Sequence, residues 1–156
     1  MIFSALKKIF SPAPEKLAAH DAYIKLVEQS RNPVFYEQWG VDDTVDGRFD
    51  VIILHIFLLT KQLKNEQPEF VRAVWEVFFS DMDRSLREMG ASDTGIGKRI
   101  KKMVQAFYGR IAIYEETIGN DAEFAEALRR NLYRGGEVSS EQISAVIDYT
   151  KNQLSQ

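Results

Sequence analysis

Apolar residues recur at three- and four-residue intervals along most of this chain, the period of helices that bury one face. The clearest stripe is Val71, Val74, Trp75, Phe78, Met82, Leu86 and Met89. Pro68 at its first turn and Gly90 just past its end predict one long helix between them. A second stripe, Ile100, Met103, Val104, Phe107, Ile111 and Tyr114, predicts another helix reaching about Glu116. Between the two, Ala91–Gly97 reads as a turn, and Gly90, Gly95 and Gly97 are expected to let the helices approach closely. Asp121 is the expected cap of a helix over Ala122–Tyr133, closed by Gly135-Gly136. Ser139 or Ser140 caps the last helix, which carries Ile143, Val146, Ile147 and Leu154. Ser139 with Gln142 only loosely approaches a capping box. Near the start, Leu17, Tyr23, Ile24 and Val27 mark a helix over Glu15–Ser30, and Asn32-Pro33 opens a short one over Val34–Trp39.

One segment breaks the amphipathic pattern. From Arg48 to Leu63 nearly every face is apolar, with Phe49, Val51, Ile52, Ile53, Leu54, Ile56, Phe57, Leu58 and Leu59. A helix apolar all round belongs in the middle of its domain. Its β-branched run also suits a buried strand, but every neighbour reads as helix and no partner strand is visible. The expectation is an all-α fold: a single compact domain over residues 14–156, about seven helices around a buried central helix at 48–64. Residues 1–13 stand apart as a basic amphipathic segment. Ile2, Phe3, Leu6, Ile9 and Phe10 share a face opposite Lys7 and Lys8, and Ser11-Pro-Ala-Pro14 follows. Three readings compete there: a helix docked on the domain, a rudimentary transit sequence, or a membrane-surface helix in which Phe3, Leu6 and Phe10 enter the headgroup boundary and Lys7 and Lys8 meet anionic lipid.

Composition narrows the chemistry. A chain of 156 residues buries one sizeable core, and the absence of cysteine removes disulfides, thiolate metal sites and cysteine nucleophiles. It also fits a reducing compartment. A net charge of −3 gives no global reason to expect nucleic acid. The longest apolar run, Val51–Leu59, is far short of the roughly 20 residues that span a bilayer.

Charge concentrates between Ser80 and Met103. Asp81-Met-Asp83 has the spacing of a magnesium-binding DxD pair, but on a helix residues two apart point away from each other. Two solvated acids paired with Arg84 and Arg87 is the plainer reading. Thr94-Gly-Ile-Gly-Lys98 suggests a phosphate loop and fails its pattern: Ser92 stands where the first glycine belongs, Arg99 replaces the hydroxyl residue, and no strand precedes it. The two histidines, His20 and His55, form no HxxxH or ExxH pair. His55, inside the most apolar helix, reads as a hydrogen-bonded core histidine. No metal, cofactor or catalytic group is expected. Asp81, Asp83, Arg84 and Arg87 with Lys98, Lys101 and Lys102 instead form a charged corner where a partner protein could dock. The alternative is a small-ligand protein or enzyme with a pocket between helices near His55, Asp81 and Asp83.

Several ordered blocks resemble the ubiquinol–cytochrome c chaperone family: Arg48-Phe-Asp50 leading into Val-Ile-Ile-Leu-His-Ile-Phe-Leu-Leu, Phe79-Ser-Asp-Met-Asp-Arg-Ser-Leu-Arg-Glu-Met-Gly90, Gly95-Ile-Gly-Lys-Arg-Ile-Lys-Lys-Met103, Ala106-Phe-Tyr-Gly-Arg110 and Ala127-Leu-Arg-Arg-Asn-Leu-Tyr-Arg-Gly135. The likeness covers about Asn32 to Gly135. It implies a helical, non-enzymatic chaperone that binds newly made cytochrome b, or another inner-membrane respiratory subunit, during assembly of the cytochrome bc complex, respiratory complex III. The ribosome, an anionic membrane surface and a small partner subunit are the further partners it implies. No catalytic or metal residues come with it. Arg48, Asp50 and Arg110, which lie in these blocks, complete the expected partner-binding set. The chain looks like a bacterial member, cytoplasmic or peripheral on the cytoplasmic face of the inner membrane, which becomes the matrix side in a eukaryotic source.

Overall fold

A computed structural model of the protein describes residues 14–90 and 93–156. Among these residues it is all helical, with six helices of at least eleven residues and one single turn. They are α1 (Pro14–Ser30), α2 (Val34–Glu37), α3 (Val45–Leu63), α4 (Pro68–Glu88), α5 (Asp93–Thr117), α6 (Asp121–Asn131) and α7 (Ser140–Leu154). The amphipathic segment at residues 1–13, with Phe3, Leu6, Lys7, Lys8 and Phe10, lies outside the described residues.

Helix α3 is the centre, and its all-round apolar pattern has a direct cause. One face, with Val51, Leu54, Phe57 and Leu58, packs with Phe35, Tyr114, Phe124, Leu128, Ile143 and Val146 of α2, α5, α6 and α7. The opposite face, with Phe49, Ile53 and Ile56, packs with Tyr23, Leu26, Phe78, Met82 and Phe107 of α1, α4 and α5. Two core layers thus share one helix, and from Phe49 to Thr60 no residue of α3 is exposed. Helix α5 serves both layers, with Phe107 in one and Tyr114 in the other.

The helix ends follow local chemistry. Thr44 caps α3, its Oγ1 accepting from Gly47 N at 3.0 Å. Gly47 is obligatory, because a Cβ there would sit 1.9 Å from the carbonyl oxygen of Asp42. Gly90 ends α4 with φ +82°, a conformation glycine adopts without cost. Ser139 and Gln142 complete a full capping box at α7, tighter than their spacing promised.

Four expectations are corrected. Asn120, not Asp121, caps α6, its Oδ1 accepting from Glu123 N at 3.1 Å. The turn between α4 and α5 is shorter than the glycines suggest: α5 begins at Asp93, so Gly95 and Gly97 are helical. Gly97 meets nothing within 4 Å of a built Cβ, so close packing does not require it. In α1 the buried face runs Ala19, Tyr23, Leu26 and Ser30, whereas Leu17 and Ile24 of the expected stripe are exposed. The sequence carries apolar residues on two faces of α1, and periodicity alone cannot choose between them.

Candidate functional site

The end of α4, the start of α5 and the start of α3 converge on one corner of the molecule. The Thr44 cap and the Asp42–Gly47 approach fix the first turn of α3 and leave Val45 pointing outward at 61% exposure. On α4, the left-handed Gly90 follows Met89, which is 50% exposed. Two cavities open here, of about 230 and 300 Å³, and both are lined by Val45, Phe49, Leu86, Met89 and Met103. They form one apolar groove. Unbranched methionines suit such a surface because their side chains adapt to the shape laid against them. Arg99, Lys102, Arg110 and Arg134 line one end. Arg31 and Arg48 line the other.

Beneath the groove lies a buried ion cluster. Asp50, on the second turn of α3, has no exposed side-chain surface. Arg134 grips it with both prongs, Nε to Oδ2 at 2.7 Å and a terminal guanidinium nitrogen to Oδ1 at 3.2 Å. Arg110 Nε stands 3.3 Å from Oδ1 and also donates to the carbonyl oxygen of Asn131 at 3.1 Å. Burial pushes the Asp50 carboxyl above its usual range, and the two guanidiniums pull it back. The Arg134 fork requires an unusual backbone. Arg134 sits at φ +51° in a left-handed turn continued by Gly135 at φ +73°. That turn brings the guanidinium back across α3.

The residues expected at a partner surface divide accordingly. Lys98, Lys101 and Lys102 are exposed at the start of α5. Arg48 is exposed and paired with Asp43 at 2.7 Å. Asp83 pairs with Arg87 at 3.1 Å, one turn apart on α4. Asp81 pairs with Arg84 and accepts from Tyr23 Oη at 2.6 Å. The two acids of the DxD spacing therefore point to different partners, as helical geometry requires. Asp50 and Arg110 are corrected. Their side chains are 0% and 12% exposed and are spent on each other and on Arg134, so neither presents a free charge.

His55 is a core residue. Its Nδ1 donates to the Val51 carbonyl oxygen at 2.8 Å, which leaves Nε2 to accept from Tyr149 Oη at 2.6 Å. Burial pushes its pKa down to about 4. Asp81 lines two cavities, one of them a cleft of about 760 Å³ between α1 and α4, and His55 lines neither. Neither of the cavities that Asp81 lines brings it together with His55 or Asp83. Among the described residues no group of three acids or histidines is placed to hold a metal ion.

Sequence reasoning missed the groove because its members are scattered over α3, α4 and α5. Val45 precedes the apolar run that marks α3, and Met89 and Met103 belong to the apolar stripes of α4 and α5. Arg134 lay in a block already noted, Tyr-Arg-Gly135. An arginine beside a helix-ending glycine is ordinary; its left-handed φ appears only in the structure.

Three comparisons bear on this arrangement. A model of the ubiquinol-cytochrome C chaperone family matches residues 37–156. The chain is 26% identical over 147 residues to the ubiquinol-cytochrome-c reductase complex assembly factor 1 of Xenopus laevis, covering 89% of this chain and 72% of that protein. It is 24% identical over 143 residues to the mouse protein of the same description, covering 89% of this chain and 48% of the relative. The chain thus spans about half the length of the mouse relative. The crystal structure of the Cbp3 homolog from Brucella abortus superposes with a TM-score of 0.74 at 30% identity, over 99% of this chain and 88% of that one. The region matched by the family model holds the groove's apolar floor and the Asp50 cluster together, while α1 and Arg31 fall before it.

Proposed function

This chain belongs to the ubiquinol–cytochrome c chaperone family, and on that premise we propose that it is a non-enzymatic assembly factor that binds newly made cytochrome b while the cytochrome bc complex is put together. The family is one of assembly chaperones for ubiquinol–cytochrome c reductase. The observation that carries the reading further is the groove. An open apolar surface lined by Val45, Met89 and Met103, rimmed by cations, offers binding groups for an unfinished membrane subunit. Another inner-membrane subunit of the same complex would fit the same chemistry.

The other contacts follow from the surface. The Lys98, Lys101 and Lys102 face, together with the basic residues 1–13, suits an anionic membrane or the ribosome. Leu17 and Ile24, both exposed on α1, give a small partner subunit a separate seat. None of the described helices is long and apolar enough to cross a membrane. With the basic Lys98, Lys101 and Lys102 face as its contact, the reading has the protein peripheral, on the cytoplasmic face of the inner membrane or its matrix equivalent.

A photo-crosslinking residue at Met89, installed in the living source organism, tests the client. Cytochrome b is expected in the crosslinked product, and cytochrome b and complex III should fall when the gene is deleted. Unchanged levels of both after deletion would remove cytochrome b as the client.

A further inference from the structure

We propose that the groove selects an apolar helical segment of its partner protein whose flanks carry carboxylates. This rests on the reading that the groove, rather than the α1–α4 cleft, receives the client, and it names the kind of segment received. The apolar floor is Val45, Phe49, Leu86, Met89 and Met103, drawn from three helices. A concave floor of this kind accepts the stripe of one helix, with side chains at i, i+3 or i+4 and i+7.

The rim decides what stands beside that stripe. At the α5 end four cations line the groove, against Asp46 on the wall and the buried Asp50 beneath it. The cluster cancels part of this: Arg110 and Arg134 are held by Asp50, and Arg134 also reaches Asp46 at 3.5 Å. Arg99 and Lys102 are left. Both are exposed, and neither has an ion-pair partner among the described residues. Helix α5 shows no acid from its Gly95 to Tyr114, so nothing on the same face competes for them. Two unpaired cations beside an apolar floor attract carboxylates and repel ammonium and guanidinium groups.

The repulsion carries the specificity. Segments of a membrane protein that face the cytoplasm are as a rule rich in Lys and Arg. A basic rim turns such flanks away, so discrimination comes from the rejected partner as much as from the accepted one. A flat bilayer could neutralise Arg99 and Lys102 but would not fill a concave floor, which favours a protein segment over lipid.

The test uses the full chain and two fluorescent helical peptides. They share one apolar stripe and differ only in their flanks, glutamates in one and lysines in the other. Fluorescence anisotropy should show the acidic peptide binding roughly tenfold tighter at low salt. The advantage should shrink as salt screens the rim. Arg99→Glu with Lys102→Glu should invert the preference, and Met89→Asp should weaken both peptides. All three positions are exposed, and circular dichroism is the check that the variants fold.

Equal binding of the twins, or a preference that survives Arg99→Glu/Lys102→Glu, overturns the proposal. So does displacement of the acidic peptide by anionic vesicles with no effect of Met89→Asp, which would make the rim a lipid site. Self-association that blocks peptide binding at the concentrations used would assign the groove to a second copy and overturn it too. The two levels separate cleanly. Twins that discriminate, with no cytochrome b crosslinked at Met89, keep this inference and remove the client. Cytochrome b crosslinked at Met89, with twins that bind equally, does the reverse.

Discussion

Replacing Asp50 by alanine removes the one carboxylate that two arginines share inside the fold. Breaking a buried ion pair from one side costs about 3–5 kcal/mol, because a desolvated charge is stranded. Here the two cations are unequal. Arg134 is 45% exposed and can turn to water and to Asp46. Arg110 is 12% exposed and cannot, although the Asn131 carbonyl oxygen still accepts from it. One stranded cation with partial compensation puts Asp50→Ala at the low end, about 3 kcal/mol. The second arm of the experiment is Arg134. Arg134→Ala loses the fork but keeps a side chain at φ +51°, where an L-residue pays about 1–2 kcal/mol. Arg134→Gly loses the same fork and relieves the backbone, against about 0.5–1 kcal/mol of added unfolded-state freedom. Glycine should therefore be the milder substitution by up to about 1 kcal/mol. Urea unfolding followed by circular dichroism measures each, provided the m-value stays constant. A loss below about 1 kcal/mol for Asp50→Ala would mean that the cluster is not a desolvated pair. Alanine milder than glycine at 134 would mean that the left-handed turn stores less strain than the freedom glycine adds to the unfolded chain.

Three further outcomes follow from the same structure. His55 is neutral in the fold, with its pKa held near 4 against the ordinary 6.5, so the unfolded chain takes up its proton first as pH falls. Its contribution is fully present above pH 6.5 and is lost down to about pH 4, up to about 3 kcal/mol; a His55→Gln variant should show a flatter stability profile over that window in urea melts. Phe57, fully buried where α3 meets Tyr114, should cost about 3–5 kcal/mol on truncation to alanine, read as a lower midpoint in the same melts. Gly97→Ala should raise the melting midpoint, by roughly 0.5–1 kcal/mol in stability, because the residue is helical and its Cβ meets nothing; a loss would restore the close-packing role that the structure denies it.

The fold was legible wherever one signal repeated. The α4 stripe from Val71 to Leu86 with its Pro68 and Gly90 stops, and the all-round apolar α3, each carry many concordant residues, and these appear as expected; Met89, at the end of the stripe, is exposed instead. Legibility failed where two signals competed at one position. Helix α1 has apolar residues on two faces, and the choice of Tyr23 over Leu17 was made by α4, whose Phe78 and Asp81 receive Tyr23. The glycines at 95 and 97 looked like a turn, yet helix formation tolerates them at its first turns. The site was less legible than the fold for a related reason. Charged residues next to one another in sequence were taken as one surface, whereas the groove is assembled from the ends of three helices.

The Asp50 cluster explains why the charges of the ordered blocks are not all alike in role. Arg110 and Arg134 line the groove and look, by position, like its attracting cations. Their charge is already compensated from below by a carboxylate with no exposed surface. A compensated cation shapes a wall and offers hydrogen-bond donors, but it adds little to the field outside. The field must then come from residues that the interior does not neutralise, Arg99 and Lys102. Loss of Arg110 or Arg134 should accordingly damage stability first and binding only through the deformed wall. Loss of Arg99 or Lys102 should leave the melt unchanged and alter the salt dependence of binding. The same distinction separates the two parts of this corner: the buried acid fixes the junction of α3, α5 and the turn after α6, and the exposed pair on α5 carries the charge that the interior leaves uncompensated.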